Sequence, residues 1–163
     1  MAVVTRYGQA YPQFNAGTGY QTPDSRYSRA TVKSLLFNIA AVNGDSIGSV
    51  YRLGRLPSNA ILLGQDNIAY SAAIAGLTSV SVGLDNLLGT TAPAALVSAA
   101  NWSAGGQFSL VSAIAAANYT NPIWQILGLA SDPGQQIDVT LTLGAALTAS
   151  GAITGNFQYV AIG

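Results

Sequence analysis

A chain of 163 residues is long enough for one domain with a true hydrophobic core, burying roughly 70 % of the surface that its unfolded form exposes. Half of the residues are apolar and 7 % are charged, against about 25 % in an ordinary soluble chain, so the surface must be built from Ser, Thr, Asn, Gln and Gly around a net charge of zero. With no His, no Glu and no Cys, the chain lacks Ser-His-Asp relays, histidine and glutamate general bases, the common zinc constellations and disulfides, and a non-enzymatic role without a cofactor is expected.

Residues 1–30 form the first segment. They hold five of the fourteen aromatics (Tyr7, Tyr11, Phe14, Tyr20, Tyr27), two prolines and Gly17-Thr-Gly19, with no sustained periodicity. This composition predicts an extended N-terminal arm ahead of a domain over 31–163. Aromatic rings beside Arg6, Arg26 and Arg29 suit docking into grooves of a neighbouring subunit, since each ring buries much area at small entropic cost. The same residues equally serve an arm packed on its own domain. Base stacking has less support, because no nucleic-acid module surrounds them. The start MAVVTRYGQAYPQ has no basic run followed by an apolar core, so no secretory signal is expected.

From residue 34 the chain alternates like a half-buried strand, with Leu35, Phe37, Ile39 and Ala41 on one face. Asn43-Gly44 supplies residues that tolerate positive φ, which predicts a hairpin joining this strand to the next. In that second strand Ile47, Tyr51 and Leu53 share one side, whereas Val50 and Leu56 share the side of Arg52, so a bulge at Gly48 or Gly54, or cover on both faces, is required. Pro57 donates no backbone hydrogen bond, making Leu56 the expected last paired residue before a strand from Ala60 to Leu63. Val80, Val82 and Leu84 alternate with Ser79, Ser81 and Gly83 up to Asp85-Asn86. Thr91 and Pro93 are suited to starting a short helix over Ala94–Ala100 that Gly105-Gly106 stops. Phe108 to Ala117 fits helix or strand, and Pro122 introduces an extended Ile123–Leu129. Ile137, Val139, Leu141 and Leu143 alternate with Asp138, Thr140 and Thr142 after the turn Asp132-Pro133-Gly134, and Ile153, Phe157 and Tyr159 mark a final strand. Seven or eight strands with a short helical insertion predict an all-β, antiparallel β-sandwich, jelly-roll-like.

All six basic residues, Arg6, Arg26, Arg29, Lys33, Arg52 and Arg55, fall in the first third. The first 55 residues carry them with two aspartates, net +4, and the rest has four aspartates and no base. This asymmetry suits steering toward an acidic protein surface, or simply a solvated tail; six scattered bases make a thin footprint for nucleic acid. The uncharged stretches 86–131 and 139–163 are broken by Pro93, Asn101, Gly105 and Pro122 or alternate with polar residues, so no membrane span is expected. Asp66 and Asp85 are the candidate acid and nucleophile of a glycosidase, yet each adjoins a turn-forming residue, the ordinary structural place for Asp. Calcium needs several oxygen ligands in close spacing, and Asp132 and Asp138, the nearest aspartates in sequence, make a weak case for such a site. Gly17-Thr-Gly19 and Gly105-Gly106 lack the setting of a phosphate loop. Asn101-Trp-Ser103 and Asn118-Tyr-Thr120 match the glycosylation pattern only by its shortness. Trp102 and Trp124 suit stacking on a sugar or, in so apolar a region, packing in a core.

Gly44-Asp45, Arg52-Leu53, Leu56-Pro57 and Ala60-Ile61, followed by Val80-Ser-Val-Gly-Leu-Asp85, resemble the strand-and-corner pattern of small virion structural proteins of tailed bacteriophages, the head decoration or cement type. Ala94–Ala100 and the ending Gly151-Ala-Ile-Thr-Gly-Asn-Phe-Gln-Tyr-Val160 are also similar to that group, and the likeness covers residues 32 to 163. The resemblance implies a β-sandwich made in the bacterial host cytoplasm that binds the outer capsid surface as a homo-oligomer, with a trimer favoured, and ties major capsid protein subunits together. Within that reading Tyr7, Tyr11, Phe14, Tyr20 and Tyr27 are expected as partner anchors, and Arg6, Arg26 and Arg29 as contacts to acidic shell groups. A tail, neck or fibre-base position and a carbohydrate-binding module are the alternatives.

Overall fold

The computed structural model describes residues 31–64, 67–86 and 89–161. These form nine strands: β1 (Val32–Ala41), β2 (Val50–Pro57), β3 (Ala60–Leu62), β4 (Ile68–Ser71), β5 (Val80–Asn86), β6 (Thr90–Ala100), β7 (Gly106–Ser109), β8 (Gln136–Leu143) and β9 (Gly151–Ala161). A 3-10 turn at Ala116–Asn118 and one helical turn, α1 (Ile123–Ile126), complete them. No helix among the described residues is long and apolar enough to cross a membrane.

Two antiparallel sheets face each other. The first runs β1-β9-β4-β7, with β3 beside the end of β9, and the second runs β2-β8-β5-β6. The antiparallel pairs β1/β9, β2/β8, β4/β7 and β5/β6 nest inside one another along the chain, which is the order of a jelly roll. The expected antiparallel sandwich is therefore the observed architecture.

The core lies between the inward rows. Leu53 and Leu56 of β2, Val80, Val82 and Leu84 of β5, and Ile137, Val139, Leu141 and Leu143 of β8 meet Phe37, Ile153 and Phe157 of the first sheet. Gly155 stands opposite Phe37, and a Cβ there would come within 2.6 Å of the Phe37 ring, so the bare backbone makes the slot in which Phe37 packs on Phe157 at 5.7 Å between centroids.

Several expectations are corrected. β1 and β2 do not form a hairpin: β1 pairs with β9 and β2 with β8, so the Asn43-Gly44 turn, with Gly44 at φ 96°, carries the chain from one sheet to the other. Turn residues state that the chain reverses; the partner is chosen by the long β8 and β9 ladders. The crossing is held to the β8–β9 link by Gly44 N–H to Leu147 O (3.0 Å), Leu147 N–H to Asp45 O (2.9 Å) and Asn43 N–H to Ser150 Oγ (2.8 Å). Ile47 lies in this crossing and is 69 % exposed, not inward.

Thr90–Ala100 is a strand, not a helix. Alanine favours a helix locally, but Leu96 and Val97 are fully buried only when the segment extends along β5, and an edge strand tolerates Pro93 because no further ladder needs its N–H. Conversely, Ile123–Ile126 is helical, not extended: Pro122 leads in with φ −65° and ψ 154°, and one turn buries Ile123 and Leu127 against the core. The short helical insertion thus exists, later in the chain than expected. The segment from Phe108 to Ala117, open to either structure, ends β7, turns and enters the 3-10 turn. The β2 ladder runs one residue beyond Leu56, with Pro57 opposite Gln136, as an edge position allows. β4 carried no sequence signal of its own.

Of the alternatives open for β2, the bulge is the one observed, and it lies beside Gly54, not Gly48. Arg52 pairs with Thr140 and Gly54 with Val139, leaving Leu53 as the extra residue. Leu53 and Leu56, three apart, therefore both reach the core, and Arg52 and Arg55, also three apart, both point outward.

At the start of β2, Asp45 Oδ2 accepts from Val42 N–H at 3.1 Å and from the Tyr51 hydroxyl. Burial first, then the hydrogen bond and the charge of Asp45, push the Tyr51 phenol from its ordinary 10.0 up to about 12. A raised folded-state value means that the contribution of Tyr51 to stability is complete below pH 10 and is lost as pH rises toward 12. Titrated at 295 nm, the native protein minus Tyr51→Phe should show one phenol ionising near pH 12. A difference step near pH 10 would contradict the burial of Tyr51 together with its Asp45 contact.

Candidate protein interface

The two outer faces of the sandwich differ in chemistry. On the second sheet, register places Asp85 of β5 directly opposite Asp138 of β8, a like-charge pair that is destabilising by itself. The β2 bulge supplies the remedy. Arg55 Nε donates to Asp138 Oδ1 at 2.6 Å, Arg52 Nη1 donates to Asp138 Oδ2, and Arg52 Nη2 lies 3.3 Å from Asp85 Oδ2. Asp138 is buried beneath the two half-exposed guanidinium groups, and the four charges sum to zero. β8, expected to be half-buried, is covered on both faces for this reason: Asp138 and Thr140 of its outer row are both buried.

The first sheet is different. Its five strands contain one charged residue, Lys33. Its outer face presents rows of uncharged side chains: Leu36, Asn156, Ile68 and Ser109 in one, Asn38, Thr154, Tyr70 and Gln107 in the next, with Ser34 beside Gln158. Leu36 is 77 % and Tyr70 52 % exposed. Such a surface can be covered without stripping water from ions, which is what the centre of a protein–protein contact requires. Nothing in the sequence periodicity identified this face, because the signal is the absence of charge in strands that meet only in the folded sheet.

Two open depressions on the surface are lined mainly by polar residues. One of about 500 Å³ is bordered by Ser58, Asn59, Asp132 and Gln135, but Asp132 Oδ1 is engaged by the Ser58 hydroxyl at 2.5 Å and by Gly134 N–H at 2.9 Å, which is turn architecture. The other, about 600 Å³, is bordered by Ile68, Gln107, Ser109 and Tyr119 and has no ionisable pair. Among the described residues no group of three potential metal ligands converges.

The predicted partner residues Arg6, Tyr7, Tyr11, Phe14, Tyr20, Arg26, Tyr27 and Arg29 lie outside the described residues, as does Asp66. Asp85 and Asp138 are both tied to Arg52. Trp102 is buried to 1 % exposure, stacked on Phe108 at 4.8 Å, so it offers no open face to a sugar; Trp124 is partly buried against the core. Asn101 Oδ1 accepts from Ser103 N–H and Oγ, a local turn. Asn67, fully buried, bridges strands: Nδ2 donates to Leu63 O at 2.6 Å and Oδ1 accepts from Gln158 N–H at 2.7 Å.

No protein-family model and no curated protein matches the chain. Solved structures do. A chain of the capsid of Ralstonia phage GP4 is similar with a TM-score of 0.54 at 16 % identity, over 82 % of this chain and 86 % of that one. A chain of the cyanophage Pam1 capsid asymmetric unit is similar with a TM-score of 0.56 at 15 % identity, over 93 % of this chain and 100 % of that one. At such identities the shared property is the fold, an antiparallel jelly roll that this chain has in common with chains of two phage capsids.

Proposed function

We propose that this protein is a non-enzymatic structural protein of a bacteriophage virion that binds the outer surface of the assembled capsid and cements neighbouring subunits of the major capsid protein. The observation that carries the reading is the likeness of fold, along most of the chain, to chains of two phage capsids. The charge-free face of the first sheet supports it, as a surface suited to burial against another protein. The mechanism is mass action: surface buried across a junction between shell subunits stabilises the assembled state over the separated one. In this reading residues 1–30 dock on the shell through Tyr7, Tyr11, Phe14, Tyr20 and Tyr27, with Arg6, Arg26 and Arg29 against acidic groups. Undiminished particle binding after deletion of residues 1–30 would remove that assignment.

The test is the copy number of the protein in purified virions, measured by quantitative mass spectrometry against the major shell protein. Copies in the hundreds, in fixed ratio to the shell subunit, are the expected result. About a dozen or fewer would move the protein to the tail, neck or fibre base, and absence from particles would overturn the virion reading altogether.

A further inference from the structure

The exposed apolar side chains of the described residues are not scattered. Of the seven large ones, five (Val32, Leu36, Val42, Ile47 and Val50) lie along β1, the crossing after it and the first residue of β2. They line one lateral edge of the sandwich. There β1 is a ten-residue edge strand, roughly 30 Å long at about 3.3 Å per residue. Among the described residues it pairs only with β9. It contains no proline and no bulge relative to β9, its one charge is Lys33 near its beginning, and its centre, Leu36, is the most exposed large apolar side chain. Soluble proteins usually blunt such an edge with charge, proline or a bulge, since a long flat apolar edge templates pairing with another chain.

We infer that the β1 edge pairs antiparallel with β1 of a second copy about a two-fold axis at Leu36, joining the two first sheets into one continuous sheet. The argument for a second copy is self-complementarity. Opposed strand residues share a face, so a two-fold axis at Leu36 sets Leu36 against Leu36 of the second copy, Ser34 against Asn38 and Val32 against Ala40 on the outer side. On the inner side Leu35 meets Phe37 and Lys33 meets Ile39, so no charge faces its own copy. Apart from Lys33 beside Ile39, apolar groups meet apolar groups, and the hydroxyl meets the amide. The chain's net charge of zero removes long-range repulsion between copies. An isologous contact of this kind closes on itself, so the exposed edge is used up at two chains and does not propagate into a fibre. This pairing is two-fold, unlike the trimer that the sequence resemblance implies, and it stands whether or not the protein belongs to a virion.

The full chain is expected to sediment as a dimer at micromolar concentration. Leu36→Lys sets two ammonium groups against each other on the axis and should weaken association by at least about tenfold. Because Leu36 is 77 % exposed, the variant's fold should survive, read as an unchanged circular dichroism spectrum. The cysteine-free sequence permits a sharper check: Leu36→Cys, treated with oxidised glutathione, should give a disulfide-linked dimer, and Val50→Cys, exposed but off the axis, should not. A monomeric native chain, the outcome if residues 1–30 or a shell protein cover this edge, would overturn the inference. So would a trimer, an unaffected Leu36→Lys dimer or equal crosslinking of both cysteine variants.

Discussion

Gly83→Ala is expected to lower the stability of the protein by about 3–4 kcal/mol, the largest loss from any single methyl group added in the second sheet. The cause is the geometry of β6. Between the pairs Leu84↔Ala92 and Val82↔Val97, β6 has three more residues than β5, and the excess folds over Gly83. A Cβ on Gly83 would lie 2.2 Å from Ala92 O and 2.4 Å from Pro93 Cα, both backbone atoms, so no side-chain rotation relieves the overlap and the β6 edge itself must move. Urea denaturation should report the loss as a lowered midpoint with little change in slope. Amide exchange should quicken first in β6, while the β1–β9 ladder stays protected up to global unfolding. A Gly83→Ala protein of native stability would mean that β6 does not cross there.

The second large effect belongs to the charge cluster. Removing both guanidinium groups, Arg52→Ala with Arg55→Ala, leaves Asp138 buried without a counter-charge and directly opposite Asp85. Breaking a sealed buried pair costs about 3–5 kcal/mol; here the arginines are half exposed and their truncation admits water, so about 2–3 kcal/mol is expected at neutral pH. Adding Asp138→Asn to the double variant should restore most of it, because the amide keeps the shape and removes the charge. Lack of rescue would mean that the arginines act by packing their stems across β8, not through charge. In native Arg backgrounds the same Asp138→Asn change should be destabilising, and this reversal of sign in a double-mutant cycle is the signature of direct coupling.

Much of this fold was legible in the chain. β5, β8 and β9 followed from period-two alternation, which reports a sheet with one apolar face whatever its neighbours are. The β2 irregularity was legible in part: the residues required a bulge at Gly48 or Gly54 or cover on both faces, and the ladder with β8 decided for the bulge beside Gly54. Local information failed at β6 and α1, where alanine content and Pro122 pointed one way and burial of Leu96, Val97, Ile123 and Leu127 decided the other. Propensities amount to tenths of a kcal/mol per residue, whereas a buried Leu or Ile is worth about 1.5–3 kcal/mol, so tertiary packing prevails in short segments.

The sequence by itself determined an all-β chain, the strand positions with the strongest alternation, and a surface poor in charge and lacking the residues of the common catalytic sites. Tertiary structure alone decided which strands are neighbours. That decision turned the Asn43-Gly44 turn into a crossing between sheets, set Asp85 against Asp138 beneath two arginines, and gathered five strands with a single charge among them into one sheet and most of the exposed large apolar residues along one edge. The physical reason is that alternation and turn chemistry act over a few residues. Ladders such as β1–β9 and β2–β8 join residues about a hundred positions apart, and their register comes from burying both sheets together.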